Sequence, residues 1–127
     1  MKNKNKYEIC VKATSFFLPD QSNEKNNQYT FAYTIKITNL GMLSAKLISR
    51  HWIITDSDEG IQEVRGEGIV GQQPTLKPLE SIEYTSGATI NTAVGTMHGS
   101  YQMIAEDGVH FGAEIPKFVL SIPRTIH

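Results

Sequence analysis

The residues with the strongest claim to chemistry are Gly66, Glu67, Gly68 and Gly71 in the run Gly66-Glu67-Gly68-Ile69-Val70-Gly71, and Arg50 with His51 a short way ahead of them. The glycine run spells G-x-G-x-x-G. In dinucleotide-binding proteins that spacing ends a strand and opens a helix whose N-terminus holds a pyrophosphate. No helix is expected here, because Ile69 and Val70 are β-branched and Pro74 and Pro78 interrupt the following turns. What is left is a bare glycine loop. Its backbone N–H groups are candidates for binding an anion such as phosphate, and the competing reading is a bend where glycine permits close packing. Arg50 and His51 are neighbours on an expected strand and so point to opposite faces. That arrangement keeps them from acting on one substrate atom, and they stand instead as candidate interaction residues.

Other chemistry is scarce. There is no serine elbow, no Cys-His pair with an orienting group and no carboxylate pair in an apolar setting, so no catalytic residue is assigned and an enzyme is disfavoured. Asp56-Ser57-Asp58-Glu59-Gly60, with Glu67 twelve positions from Asp56 counted inclusively, has some likeness to a calcium loop. Its glycine comes one residue early and flanking helices are absent, so a turn at a hairpin tip is expected. The carboxylates there offer at most weak, water-mediated binding of Mg²⁺ or Co²⁺, and no cofactor is expected beyond that. His51, His98, His110 and His127 show no ligand spacing within a strand, and no metal site is assigned to them. Cys10 is the single cysteine. It excludes an internal disulfide, fits a reducing compartment and falls in an alternating segment as a small strand residue.

At 127 residues and 39% hydrophobic, the chain suits a single domain with one core. A formal net charge of -1 gives no general attraction to nucleic acid or to an anionic membrane. Residues 1 to 6, with Lys2, Lys4 and Lys6, read as a flexible polar tail. No apolar run approaches the ~20 residues that span a bilayer, and no apolar segment follows the polar start to act as a signal peptide. A cytoplasmic location and no membrane insertion are expected.

The elements that must position these residues are strands. Residues 7 to 17 alternate, with Tyr7, Ile9, Val11 and Ala13 on one side. A polar stretch over 19 to 27 reads as a flexible connection. Phe31, Tyr33, Ile35 and Ile37 then alternate with mostly polar neighbours, and Asn39-Leu40-Gly41 supplies a turn. Residues 43 to 56 stay strand-like for so long that a bulge is expected, with Trp52 sharing a face with Ile48, Arg50 and Ile54. Asp58-Glu59-Gly60 turns the chain into a short antiparallel strand over 61 to 65. Residues 72 to 80 form an irregular crossing loop, and 81 to 90 return to strand with Ile82 and Tyr84 on one side. Glu106-Asp107-Gly108 joins strands over 97 to 105 and 109 to 111 as a hairpin. A last alternating segment, 118 to 122, follows Pro116. Sustained helical periodicity and internal repeats are absent. Together these signals predict an all-β, immunoglobulin-like sandwich of seven or eight antiparallel strands. The only Trp falls on the third strand, where such domains bury one. Tyr101 is placed to make a corner hydrogen bond, with Met103 where antibody domains have cysteine.

The segments 47 to 56 and 64 to 74, followed by Tyr84-Thr85-Ser86-Gly87, the run from Gly95 to Met103 and Ile115-Pro116-Lys117-Phe118, resemble the signature of the bacterial ApaG family over nearly the whole chain. The main departure is Pro78-Leu79, where the family usually has Pro-Gly. The resemblance implies a single ApaG domain over 1–127 with a fibronectin type III or immunoglobulin-like sandwich, in a bacterial cytoplasmic protein. It implies no catalytic residues. It links the chain by gene neighbourhood to diadenosine tetraphosphate hydrolysis and by phenotype to cobalt and magnesium efflux. A similar domain at the C-terminus of certain F-box proteins looks like a protein-interaction module. The family's suggested phosphate-binding element falls on Gly66, Gly68 and Gly71. The sequence thus leaves three expectations: a non-enzymatic module with a protein partner, a binder or hydrolase of a phosphate-containing small molecule, or direct Co²⁺ or Mg²⁺ binding by the carboxylates and histidines, which predicts metal-dependent thermal stabilisation. It sets neither the partner's identity nor the oligomeric state.

Overall fold

Period-two alternation becomes strand throughout the computed structural model, which describes residues 5–123. The strands are β1 (Ile9–Phe17), β2 (Tyr29–Asn39), β3 (Ala45–Asp56), β4 (Ile61–Glu67), β5 (Thr75–Leu76), β6 (Ser81–Ile90), β7 (Val94–Ala105) and β8 (His110–Ser121). One sheet has the order β1-β2-β6. The other runs β4-β3-β7-β8, with the short β5 against β3. All pairings are antiparallel. Stacked face to face, the two sheets make the expected immunoglobulin or fibronectin type III-like sandwich. Apolar residues at every second position face inward, so Phe31, Ile35 and Ile37 of one sheet meet Leu47, Met97 and Ile115 of the other with no exposure.

Trp52 sits at the centre of this core, 2% exposed. Its ring lies 5.3 Å from Tyr33 of the facing sheet, 6.0 Å from Phe118 and 6.5 Å from Tyr101, in tilted or edge-on contacts that aromatic pairs favour. On the outer face of the first sheet, three hydroxyl pairs tie β2 to β6: Thr30 with Thr89 at 2.8 Å, Thr34 with Thr85 at 2.8 Å and Thr38 with Ser81 at 2.7 Å.

Several details depart from the sequence reading. The connection over 19 to 27 is built from two 3₁₀ turns, Pro19–Gln21 and Glu24–Asn26, and Ser22 Oγ accepts the Thr30 N–H at 2.8 Å. The crossing loop is not wholly irregular, since β5 pairs with Ala45 and Lys46. At its end Glu80 donates its N–H to the Lys77 carbonyl at 2.9 Å. With Pro78 second and Leu79 third at φ 69, this is a type II turn whose third place favours glycine. Leu79 thus stands in the left-handed place where the resemblance leads one to expect glycine.

The two last segments are one strand, β8. Its register slips between Met97 opposite Phe118 and Gly99 opposite Ile115, which leaves Pro116 in a bulge where a missing N–H costs no ladder bond. Tyr101 makes no corner bond. It is fully buried, and its hydroxyl is hydrogen-bonded to that of Tyr84 in the facing sheet. Burial raises both phenols, Tyr84 to about 12. Of the expected flexible tail over 1 to 6, residues 1 to 4 lie outside the described residues, and Lys6 is held by its carbonyl, which accepts the Met42 N–H at 3.2 Å. No described helix is long and apolar enough to cross a membrane.

Candidate functional site

The expected bulge in β3 falls at Ile48, where the register against β7 breaks between Leu47 and Ser49. Freed from the ladder, the Ile48 carbonyl accepts the Gly68 N–H and the Gln73 side-chain amide, both at 2.8 Å, and so anchors the glycine loop. Ile69 and Gln72 then exchange backbone hydrogen bonds of 2.8 and 2.9 Å around Val70 at φ 46 and Gly71 at φ 76. This is a two-residue type I′ hairpin turn, and no helix follows it. Val70 is a β-branched residue held in the left-handed region while 73% exposed, a conformation that costs about 1–2 kcal/mol.

Each of the first two motif glycines answers to a steric demand. At Gly66, the cross-strand partner of Arg50, a Cβ would lie 2.7–2.8 Å from the guanidinium. Glycine is what lets Arg50 lie flat there. At Gly68, φ is 56 and a Cβ would stand 1.9 Å from the Gln72 carbonyl oxygen. Arg50 Nη1 donates to the Glu67 and Gly68 carbonyls at 3.0 Å each. The loop therefore turns carbonyls toward an arginine, and it spends the N–H groups of Gly68, Ile69 and Gln72 on backbone acceptors. The Glu67 side chain is exposed.

Arg50 and His51 point to opposite faces, as alternation requires. His51 lines a recess of about 390 Å³ on the outer face with Ser49, Arg65 and Gln102. Its Nε2 lies 3.6 Å from the Glu63 carboxylate, which Arg65 reaches at 3.5 Å. That separation is too long for a hydrogen bond, and among the described residues the buried Nε2 has no other partner.

Arg50 faces inward, into a cleft between β6 of one sheet and β3 and β4 of the other. The cleft is about 370 Å³, floored by Tyr33, Trp52, Ile54 and Met97 and walled by Gln62 and Val64 on β4 and by Ser86 to Thr89 on β6. Past Arg50 it continues into about 220 Å³ beside Val70 and Tyr84, then about 210 Å³ reaching Pro74 and Ile82. One hydrogen bond crosses its mouth among the described residues, from Gln62 Nε2 to the Thr89 carbonyl at 3.3 Å. The edge of β6, together with Tyr84 and Val70, is the part of the site that the sequence reading did not single out. The signal was Arg50 itself, a cation at an inward position between apolar neighbours and opposite a glycine.

At the tip of the β3–β4 hairpin the Asp56 carboxylate accepts the N–H groups of Asp58 at 2.9 Å and Gly60 at 2.8 Å, the turn geometry expected there. Among the described residues no three His, Cys, Asp or Glu side chains converge, and His127 lies outside those residues. Cys10 is half-buried with a free thiol.

Comparison with known proteins agrees with this architecture. The family model of the ApaG domain matches residues 19–105. Protein ApaG of Dechloromonas aromatica (strain RCB) is 58% identical over 127 residues, covering all of both chains. Protein ApaG of Nitrosospira multiformis is 58% identical over 122 residues, 96% of each. A crystal structure from Bordetella pertussis, described as an ApaA protein, superposes with a TM-score of 0.93 at 50% identity, over 97% of this chain and 100% of that one. With a matched domain model, relatives alike from end to end and a solved structure of the same shape, the chain belongs to the ApaG family.

Proposed function

We propose that this protein is a non-enzymatic interaction module that receives a protein partner in the cleft between β6 and the β3–β4 hairpin. The observation that carries this reading is Arg50. The residue is half-buried at the cleft wall, forms no ion pair with any described residue and donates its hydrogen bonds only through Nη1. A cation withdrawn from water without an anion is costly, and a partner that brings one recovers that cost. The cytoplasm is the proposed setting. The link to cobalt and magnesium efflux that the family resemblance implies then runs through the partner and not through a metal held by this chain.

The alternative, a phosphate-containing small molecule bound or hydrolysed at the glycine loop, has less geometric support, because the N–H groups of Gly68, Ile69 and Gln72 already have backbone acceptors. Titration with ATP and with diadenosine tetraphosphate, with and without Mg²⁺, separates the two readings. The module reading expects no saturable binding of either, and a partner captured from cell extract that is lost in Arg50→Gln. Saturable nucleotide binding that survives Arg50→Gln overturns it.

A further inference from the structure

Resting on the reading of this cleft as a partner site, we infer that its occupant is an extended peptide segment that adds to β6 as a new strand and sets a carboxylate against Arg50. Alternate residues of β6 have backbone groups that β2 does not use. Thr30, opposite Thr89 in the β2–β6 ladder, gives its N–H to Ser22 Oγ and takes the Leu18 N–H at its carbonyl, so it turns away from β6. Asn39, an odd number of residues further along β2, instead donates to the Glu80 carbonyl beside β6. Alternation along an antiparallel ladder then leaves Glu83, Thr85, Gly87 and Thr89 with their N–H and C=O groups directed to the cleft side. Among the described residues, the Thr89 carbonyl alone of these has a side-chain partner, Gln62.

Exposed edges are normally guarded by proline, by lysine, by bulges or by shortness. β8 carries Pro116 and Lys117 at its bulge, and β4 carries Glu63, Arg65 and Glu67. β6 is ten residues long with neither proline nor lysine, carries the one charge of Glu83, and pairs with β2 in continuous register. A row of alternating donors and acceptors at strand spacing is matched by another polypeptide backbone. A nucleotide or free phosphate would satisfy donors and leave the carbonyls of Thr85 and Gly87 without partners.

Arg50 supplies the side-chain preference. With Nη1 occupied by two carbonyls, the Nη2–Nε edge of the guanidinium is the side left for a ligand, and that edge takes a carboxylate through two parallel hydrogen bonds. Val70 supplies the apolar contact. A β-branched side chain kept exposed in a left-handed turn at the rim of the same cleft is strain held where a ligand would touch it.

The test uses short synthetic peptides of alternating Thr and Val with a central Glu, Gln or Lys, followed by amide hydrogen exchange and NMR on the whole chain. The Glu peptide is expected to bind about tenfold more tightly than the Gln peptide and to slow exchange at Thr85, Gly87 and Thr89. Arg50→Gln should erase the Glu preference, and Arg50→Glu should transfer it to the Lys peptide. Gly87→Pro removes one outward N–H without touching the β2 ladder, and it should weaken all peptides alike while the far-ultraviolet circular dichroism stays that of a sheet protein. If peptides shift Trp52 and Tyr84 signals but leave the Thr85, Gly87 and Thr89 amides unprotected, strand addition is wrong while the cleft reading stands. If no peptide protects those amides at millimolar concentration, the proposal fails. If nucleotide binds at the loop instead, the module reading fails with it.

Discussion

The two long sides of the sandwich are finished in different ways. On one side β1 lies against β8. There Ser15 Oγ donates to the Val119 carbonyl at 2.7 Å, and ahead of β1 the Tyr7 hydroxyl reaches Asp107 at 2.6 Å while its ring packs 5.3 Å from Phe111. The Tyr7 hydrogen bond holds the Asp107 carboxyl below the usual carboxylate range. On the other side β6 faces β4 across an open cleft with the Gln62 bond at its mouth. Side-chain size accounts for the contrast. The small inward side chains of Ser86 and Ala88 leave the space beside β6 unfilled, whereas an aromatic ring and hydroxyls close the β1 side. A sandwich needs both faces of its core covered, but it can leave one flank open for recognition.

The largest expected effect falls on the floor common to both flanks. Trp52→Ala should destabilise the fold by about 3–5 kcal/mol in urea unfolding, and a loss under about 1 kcal/mol would remove the indole from the core. Next comes pH. The native phenols of Tyr84 and Tyr101 titrate above the ordinary value of 10.0, Tyr84 at about 12, so above pH 10 the unfolded chain releases protons that the folded chain keeps. Stability from this pair is therefore complete below pH 10 and should fall as pH rises toward 12. Thermal melts across that range should show a shallower fall in the Tyr84→Phe, Tyr101→Phe double variant.

Two left-handed side chains then sharpen the division of labour. Val70→Asn and Leu79→Gly should each stabilise by about 1 kcal/mol, because both relieve strain. Only the first, on the cleft rim, should also weaken a bound peptide. The smallest effects compare the flanks directly. Ser15→Ala should cost about 1 kcal/mol on the closed side and Gln62→Ala a few tenths on the open side, both read from denaturant midpoints. Equal costs would erase the distinction drawn between them.

Much of the fold was legible because alternation and burial coincide. Phe31, Tyr33, Ile35 and Ile37 give β2 its inward face, and Asp107-Gly108 gives the β7–β8 hairpin. The continuity of β8 was hidden because Pro116 reads as a strand breaker unless a bulge absorbs it. Tyr101 looked like a corner residue, since nothing local reveals a phenol waiting on the facing sheet. The glycine loop was correctly denied a helix, but its service to Arg50 depends on the cross-strand register of the β3–β4 hairpin, which sets Arg50 opposite Gly66. The direction of Arg50 could be read from alternation. The missing anion could not, because it is a property of every neighbour at once.

The hydroxyl rungs that join Thr30, Thr34 and Thr38 to β6 bear on the proposed docking from behind. A slide of β6 by one residue would break all of them and swing Tyr84 out into water. The strand that offers its edge is thus clamped into a fixed ruler, and a visiting peptide must supply nearly all the ordering itself. Recognition at such a rail would be selective by phase, since a peptide shifted by one residue presents its acid to the wrong side of the strand.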